Sequence, residues 1–315
     1  MPAQAPVVPG LSPTIIDALA RGLVVVERDK KPVAVGTVLR GDGRVVTALS
    51  SLGSLALAQT ADGKTQEPVI DLRFPDGSVA HAKLGHQDTA WDLALLVPQS
   101  GKYNDGLVAS ETDPTAVPVY TAMPSRAKLP LVSNVPVRGR TEARARQDAT
   151  TLPAALDLDV HSLHVVPGAP IVDNTGSVVG ILVNACKAGS SPCTPVSVGV
   201  PVAALRNFLM RVPESAKRPA AWLGIAGSIA QAAGTKGVRV MAVSPNSPAS
   251  NAGFHVSEAD GDIIVAVDGT PVDSPEALAA EVAKHAVGES VKVLTVSAGK
   301  YREVPVALSA APLRL

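Results

Sequence analysis

The sequence predicts a mainly β protein that folds as two domains. Its 315 residues are enough for two domains of ordinary size, each with its own core. Hydrophobic residues make up 46% of the chain and aromatic residues only 3%, so Val, Ala, Leu and Ile must fill the cores, which favours strands. From about residue 20 to 205, short apolar runs alternate with Gly, Pro, Asp and Asn turns, and no sustained helical period competes with them.

The first domain, residues 20–212, follows a Pro/Ala-rich N-terminal segment, residues 1–19. Its strands are bounded by GDG, PDG and NTG sequences, which are typical of hairpin turns. In chain order the strand-like runs are GLVVVER, AVGTVLRGDGRVVTA, PVIDLRFPDGSVAHAKL, WDLALLVP, APIVDNTGSVVGILV and SVGVPV. Helices are predicted for PTIIDALARG near the start and for residues 202–212, VAALRNFLMRV, where apolar residues recur at helical spacing.

The second domain, residues 221–312, begins after a linker, PESAKRPA, at residues 213–220. Here strands and helices alternate, which predicts a small α/β module. The predicted elements are the strands AWLGIAG, GVRVMAVS, DIIVAVDG, SVKVLTVS and EVPVAL, with helices in SPASNAGF and SPEALAAEVAKH. Ser274 as N-cap and Pro275 in the first turn mark the start of the second helix.

Charge and hydropathy indicate which classes of ligand the protein binds and whether it crosses a membrane. The 28 basic and 28 acidic residues give a formal net charge of zero, which argues against nucleic acid or acidic lipid and favours protein or peptide ligands. No apolar run approaches the roughly 18 residues that cross a bilayer. The start, MPAQAPVVPGLSPT, does not resemble a signal peptide, so either the protein stays inside the cell or a leader has been removed.

Histidines and cysteines offer few candidate sites. His161 and His164 are spaced as a metal pair on a helix would be, but no third ligand accompanies them, so neither a metal site nor a cofactor is predicted. Cys186 and Cys193 flank a Gly/Ser/Pro loop between two strand-like runs. A disulfide there would imply an oxidising compartment, and two free loop thiols are the alternative.

Several motifs together resemble the HtrA (DegP-like) family, in which a chymotrypsin-like double β-barrel protease domain precedes a PDZ domain. In the first domain these are AVGTVLRGDGRVVTALSSL, GHQDTAWDLALLVP and VPGAPIVDNTGSVVGI; in the second they are VMAVSPNSPASNAGF and DGDIIVAVDGTPV. The resemblance runs from residue 20 to 312 in the family's order. It implies a trypsin-like double β-barrel followed by a small α/β PDZ domain.

The resemblance implies serine proteolysis by a Ser-His-Asp triad, but this chain departs from it at two positions. Asp92 matches the acid, whereas Ser50 stands where the family has histidine and Pro167 where it has the nucleophile. Proline also lacks the backbone N–H that serves as one oxyanion donor, and Val165 replaces the glycine that supplies the other. We therefore expect no protease activity from this site.

The PDZ-like half keeps its motif for peptide capture. Trp222, Leu223, Gly224 and Ile225 match the loop that holds a terminal carboxylate in the family, and Leu278 and Val282 can share one face of the following helix. We expect these six residues to line a peptide groove. The alternative for Leu278 and Val282 is that both are simply core residues.

These expectations lead to a functional hypothesis. The chain is interpreted as a non-catalytic pseudoprotease that acts as a protein-binding scaffold, adaptor or regulator; the alternatives are a residual serine endopeptidase and a chaperone-like holdase. The resemblance and a Cys186–Cys193 bridge favour a periplasmic or other extracytoplasmic location, while the cytoplasm stays open. A homo- or hetero-oligomer fits the resemblance, although the family's N-terminal aromatic residues are missing from LSPTIIDALARGLVVVE.

Overall fold

The computed structural model describes residues 11–40, 43–53, 58–59, 65–66, 70–100, 106–125, 130–148, 150–160, 166–217, 219–232, 234–257 and 261–311. The chain divides into two compact units. Unit 1 comprises residues 1–98 and 103–218, and unit 2 comprises residues 99–102 and 219–315. The architecture is mainly β, as the sequence predicts.

Unit 1 begins with a helix and continues as two barrel-like sheets. Its elements are α1 (Pro13–Arg21), β1 (Leu23–Arg28), β2 (Lys31–Val38), β3 (Val45–Ala48), a 3-10 helix (Leu49–Leu52), β4 (Ala58–Gln59), β5 (Thr65–Gln66), β6 (Ile70–Arg73), β7 (Val79–Asp88), β8 (Leu93–Pro98), β9 (Val119–Met123), β10 (Leu131–Asn134), β11 (Val137–Arg144), β12 (Thr151–Leu158), β13 (Pro170–Asp173), β14 (Val178–Lys187), β15 (Pro195–Pro201) and α2 (Val202–Met210).

The first sheet is a closed barrel with the strand order β1-β2-β3-β8-β7-β6. Its interior is filled by aliphatic side chains such as Val24, Val26, Leu72 and Leu96. The second sheet has the order β10-β9-β13-β14-β11-β12-β15, and it curls back on itself because β14 also pairs with β15. With so few aromatic residues, both sheets are packed by β-branched and other aliphatic side chains.

Two of the predicted hairpin turns are present in the structure. In PDG, the N–H of Gly77 donates to the carbonyl of Phe74, which closes the turn between β6 and β7. In NTG, Asp173 Oδ1 accepts hydrogen bonds from the N–H groups of Thr175 and Ser177 and so orders the turn between β13 and β14. The GDG sequence lies partly outside the described residues.

The two predicted helices of unit 1 are confirmed. Ser12 caps α1, since its hydroxyl accepts a hydrogen bond from the N–H of Ile15. In α2 the buried residues Val202, Leu205 and Phe208 recur every three positions and face the core.

The β14–β15 hairpin is closed by a disulfide between Cys186 and Cys193, whose Cα atoms are 5.2 Å apart. The structure therefore contains the bridge and not the two free thiols that the sequence left open. Because Cys186 is fully buried, the bridge joins the loop to the interior of the second sheet.

Unit 2 is a small α/β module. Its elements are β16 (Ala221–Trp222), β17 (Ile225–Ala232), β18 (Thr235–Val243), α3 (Pro248–Ala252), β19 (Ile263–Val267), β20 (Thr270–Pro271), α4 (Pro275–Ala283), β21 (Ser290–Ser297), β22 (Lys300–Ala307) and β23 (Ser309–Ala310). The main sheet has the order β17-β18-β19-β21-β22, with β20 paired to β19, and β16 pairs with β23. Strand β17 therefore lies at one edge of the main sheet.

Two local predictions for unit 2 have different outcomes. The N-cap at Ser274 is confirmed, because its Oγ accepts a hydrogen bond from the N–H of Ala277. The prediction that AWLGIAG is one strand is wrong. Leu223 and Gly224 separate β16 from β17, since Gly224 has a φ of 85°, which a continuous strand does not accommodate.

None of the helices in the described residues is both long enough and apolar enough to span a membrane.

Candidate functional site

Ser50 and Asp92, which the sequence matches to the base and acid positions, are in direct contact. Asp92 Oδ2 accepts a hydrogen bond from the Ser50 hydroxyl at 2.8 Å, and Oδ1 accepts one from the Ser50 N–H at 2.7 Å. The N–H of Asn184, in β14, donates to Oδ2 at 3.3 Å. Both carboxylate oxygens are thus occupied, and the serine hydroxyl is used as a donor to Asp92.

Asp92 is a buried acid in an unusual backbone conformation. Its side chain is buried, and its φ of 55° is uncommon for a residue other than glycine. Burial raises the pKa of Asp92 above its usual value of 3.8, because the cost of desolvating the charged form outweighs the hydrogen bonds from Ser50 and Asn184 and the attraction of Arg146. The carboxyl is therefore easier to protonate than an exposed aspartic acid.

The contacts found for the histidines that the structure describes are with residues other than Ser50 and Asp92. His86 stacks on Phe208 with ring centroids 5.0 Å apart, and His81 Nδ1 lies 2.6 Å from Asp71 Oδ1. His285 Nδ1 lies 3.4 Å from Glu289 Oε1, and the N–H of His255 donates to Asp262. His161 and His164 lie outside the described residues, as does Val165. Within the described part of the chain, no cluster of three or more His, Cys, Asp or Glu side chains could hold a metal ion.

Pro167, at the position matched to the nucleophile, lies in a tight turn. The carbonyl of Val166 accepts a hydrogen bond from the N–H of Ala169, and Gly168 has a φ of 90°. Proline in the second place and glycine with positive φ in the third are the residues that a type II turn prefers. The Pro-Gly dipeptide could have indicated this turn from the sequence.

The turn is fixed to both sheets of unit 1. The N–H of Gly168 donates to the carbonyl of Leu182 at 2.7 Å, and the Thr37 hydroxyl donates to the carbonyl of Gly168 at 3.0 Å. A Cβ atom on Gly168 would overlap the carbonyl oxygen of Val35. The turn thus has its backbone groups committed to structural hydrogen bonds.

None of the hydrogen bonds found for the Ser50 side chain among the described residues involves an imidazole. A serine hydroxyl that donates to a carboxylate, with no imidazole to take its proton, is an unactivated nucleophile. Pro167 supplies neither a hydroxyl nor a backbone N–H at its position in the turn.

In unit 2, the six residues predicted to form a peptide groove line one cavity of about 130 Å³. Trp222 ends β16, Ile225 begins β17, and Leu223 and Gly224 lie between the two strands. Leu278 and Val282 come from α4. Leu278 and Val282 are 6% and 4% exposed and also belong to the hydrophobic core. They are therefore core residues whose surface also forms part of the cavity wall, and their role in a peptide groove stays a prediction.

Sequence reasoning missed five further residues of the cavity wall: Ala221, Gly227, Val238, Pro275 and Ala279. A signal for two of them was present. Pro275, Leu278, Ala279 and Val282 are spaced i, i+3, i+4 and i+7, which is one face of a helix. Val238 could not be found in this way, because it lies on a different strand and reaches the cavity only through the β17–β18 pairing.

The loop at the end of the cavity presents backbone donors. The carbonyls of Leu223 and Gly224 accept hydrogen bonds from the N–H groups of Ala249 and Ser244. The N–H groups of Leu223 and Gly224 donate to none of the described backbone carbonyls. Such a pair of adjacent N–H groups beside an apolar cavity is suited to a carboxylate.

Gly224 is required at this loop for two reasons. Its φ of 85° favours glycine, and a Cβ atom would overlap the side chain of Ser247. Any larger residue at position 224 would therefore disturb the fold as well as the cavity, so substitution of Ala279, which is exposed on α4, is the cleaner way to block the groove.

The fold defines the class: a trypsin-like pair of barrel-like sheets followed by a small α/β module with an apolar cavity. Comparison with known proteins specifies it further, since residues 208–308 match the PDZ domain family model. Over 90% of its length, the chain is 26% identical to the probable periplasmic serine endoprotease DegP-like of Brucella suis biovar 1 (strain 1330). The chain is therefore similar to HtrA/DegP-like proteins over most of its length, and residues 208–308 match a PDZ domain.

Other proteins show a comparable similarity. The probable periplasmic serine endoprotease DegP-like of Bartonella henselae is 24% identical over 90% of the chain. The magnetosome formation protease MamE of Magnetospirillum gryphiswaldense is 44% identical, over 20% of the chain and 8% of its own length. The chain spans 54%, about half, of the length of the DegP-like relatives it matches.

Solved structures with a similar chain course include the HtrA-type protease AlgW with a decapeptide, with a TM-score of 0.46, 14% identity and coverage of 95% of this chain and 98% of that one. The serine endoprotease from Yersinia pestis has a TM-score of 0.43, 19% identity and coverage of 98% and 100%.

Alanine at position 168 should destabilise unit 1 far more than alanine at position 77. Both glycines have positive φ, 90° and 86°, but a Cβ at Gly77 meets nothing within 4 Å. We expect Gly77→Ala to lower the free energy of unfolding by about 1 kcal/mol from backbone strain, and Gly168→Ala by about 3 kcal/mol or more because of overlap with Val35. Urea unfolding of both variants measures the difference, and equal losses would contradict the tight packing around Gly168.

Replacing Asp92 by asparagine should change how stability depends on pH. Because the pKa of Asp92 is raised on folding, its contribution to stability is fully present below the unfolded pKa and is lost as pH rises through the folded pKa. The free energy of unfolding of the wild type, minus that of Asp92→Asn, should therefore decrease as pH rises from about 3.5 towards 7. Urea titrations across this range measure it, with Asp17→Asn on the exposed side of α1 as the control for net charge. A difference that grows with pH would contradict the direction of the shift.

Proposed function

We propose that this chain is a non-catalytic member of the HtrA/DegP-like family that captures the C-termini of proteins or peptides in its PDZ domain. The observation that carries the proposal is the cavity of about 130 Å³ lined by Trp222, Leu223, Gly224, Ile225, Leu278 and Val282. In this role the first unit serves as a scaffold, and the second recognises the ligand.

Loss of protease activity is supported by the contacts of Ser50, Asp92 and Pro167. Without triad members, a residual acceleration of about 10³ to 10⁴ over water depends on the oxyanion hole and on binding. Removal of one oxyanion donor costs a further factor of about 10² to 10³. Pro167 lacks the N–H of one donor, so both sources of acceleration are weakened together.

Peptide capture is supported by three features that meet at one place. Strand β17 is at the edge of its sheet, so an extended peptide can pair with it. The N–H groups of Leu223 and Gly224 are available to a terminal carboxylate, and the apolar cavity beside them fits one small or branched aliphatic side chain. The proposed ligand therefore ends in a free carboxylate and an aliphatic residue.

The proposed location is extracytoplasmic. The Cys186–Cys193 disulfide supports an oxidising compartment, and the DegP-like relatives are described as periplasmic. The proposed partners are proteins or peptides, and assembly with other copies or with an active relative is compatible with this role.

The purified chain should leave unfolded casein intact and should not react with a fluorophosphonate probe. The reason is that no described base can take the proton of Ser50, and Pro167 carries no nucleophile. Gel analysis of casein and mass spectrometry of the probe-treated chain measure these outcomes, with trypsin as the positive control. Labelling of Ser50 that disappears in Ser50→Ala would instead establish the rival function, a residual serine endopeptidase.

Phenylalanine at position 279 should block the groove, whereas phenylalanine at position 280 should not. Both alanines are exposed on α4, but only Ala279 contributes to the cavity wall. For a fluorescein-labelled decapeptide that ends in valine, we expect Ala279→Phe to weaken binding at least tenfold, about 1.4 kcal/mol, and Ala280→Phe to leave it within about twofold. Fluorescence anisotropy measures the affinities, and circular dichroism checks the fold of both variants.

A second control uses the same peptide with an amidated C-terminus, which should bind much more weakly because the carboxylate is lost. Absence of binding of the free-acid peptide at millimolar concentration would refute the groove. Suppression of casein aggregation that Ala279→Phe does not change would favour the holdase alternative over C-terminus capture.

A further inference from the structure

Ile229, in the middle of β17, is 67% exposed although it is a large aliphatic residue in a strand. We propose that Ile229 forms a second specificity site of the groove, which selects an apolar side chain four positions before the C-terminus of the ligand. This inference rests on the proposed function, because it requires a peptide paired with β17.

The strand pairing places Ile229 on the same face as the cavity. In the β17–β18 register, Ile225 is opposite Val243, Gly227 is opposite Val240, and Ile229 is opposite Val238. Residues directly opposite each other in antiparallel strands point to the same face of the sheet. Val238 and Val240 are fully buried in the core that also contains Leu278 and Val282 of α4, so Ile225, Gly227 and Ile229 face the α4 side.

An irregularity in the register does not alter this assignment. The shift between Ala226 and Gly227 arises because β18 carries one extra residue, Met241, at that point. The alternation along β17 itself is therefore undisturbed, and its other face carries Ala226, Ser228 and Ala230. Ala230 packs against Ile263 and Val265, which form a separate cluster on that face.

Gly227 keeps the groove open between the cavity and Ile229. A Cβ atom at this position would overlap the side chain of Val238, so the strand has no side chain here. Ile225 and Gly227 both line the cavity, and Ile229 continues the same row one step further along the strand. The next residue in the row is Gln231, so the apolar surface ends after Ile229.

The position of the contact in the ligand follows from strand geometry. A peptide whose carboxylate lies at Leu223 and Gly224 must run antiparallel to β17 if it pairs with this edge and extends along Ile225–Ala232. Side chains on one face recur every two residues along both strands. The last ligand residue then faces Ile225, the residue two before it faces Gly227, and the residue four before it faces Ile229.

The experiment compares two fluorescein-labelled decapeptides that end in valine and differ only in the residue four positions before it, leucine or serine. With the full chain, we expect the leucine peptide to bind roughly three- to tenfold more tightly, from burial of apolar surface on Ile229. In Ile229→Thr, which keeps a β-branched strand residue, this ratio should fall to about one, while the affinity of the serine peptide stays unchanged. Ala226→Thr, on the opposite face of β17, should keep the wild-type ratio.

Equal binding of the two peptides to the wild type, or an unchanged ratio in Ile229→Thr, would overturn the second specificity site and leave the proposed function standing. If neither peptide binds to the wild type at millimolar concentration, both the proposed function and this inference fail. Because Ile229 is exposed, Ile229→Thr should unfold at the same urea concentration as the wild type, which separates lost selectivity from lost fold.

Discussion

The buried carboxylate of Asp92 is the interaction on which the arrangement of the first unit depends. Its side chain accepts hydrogen bonds from Ser50 and from the β14 residue Asn184, and its own carbonyl accepts the N–H of Leu49. These contacts connect the end of β3, the start of β8 and the second sheet. An ionised acid in this position needs such donors, because an unpaired buried charge is costly. The Ser50 hydroxyl supplies one of them, so the buried acid is satisfied although position 50 carries no imidazole.

Much of the fold could be predicted from local sequence signals. The PDG and NTG turns and the capped helices at Ser12 and Ser274 each depend on a few neighbouring residues, and the structure contains them all. Most of the aliphatic strand runs are likewise strands. Six residues of the cavity wall were also recognisable, because Trp222 to Ile225 are consecutive and Leu278 and Val282 are one helical turn apart. Each of these features is determined by residues that are close together in the sequence.

The rest depends on contacts between distant parts of the chain. The Ser50–Asp92 pair joins residues 42 positions apart, and the Thr37–Gly168 hydrogen bond joins residues 131 positions apart; no periodicity indicates either of them. The same holds for Val238, which reaches the groove from β18, and for the φ of 85° at Gly224 that divides the expected first strand of unit 2 in two. Tertiary packing, and not propensity, decides these features.

The Val166–Ala169 turn has a consequence for evolution. A nucleophile must be held in a conformation that suits the reaction even when that conformation is a poor choice for the folded chain, and activity often costs stability for this reason. Proline restricts the unfolded chain, and glycine fits the positive φ, so Pro167 and Gly168 are suited to rigidity. Under the proposed non-catalytic function, selection at this loop would act on folding alone, and a proline that replaces a nucleophile becomes an advantage.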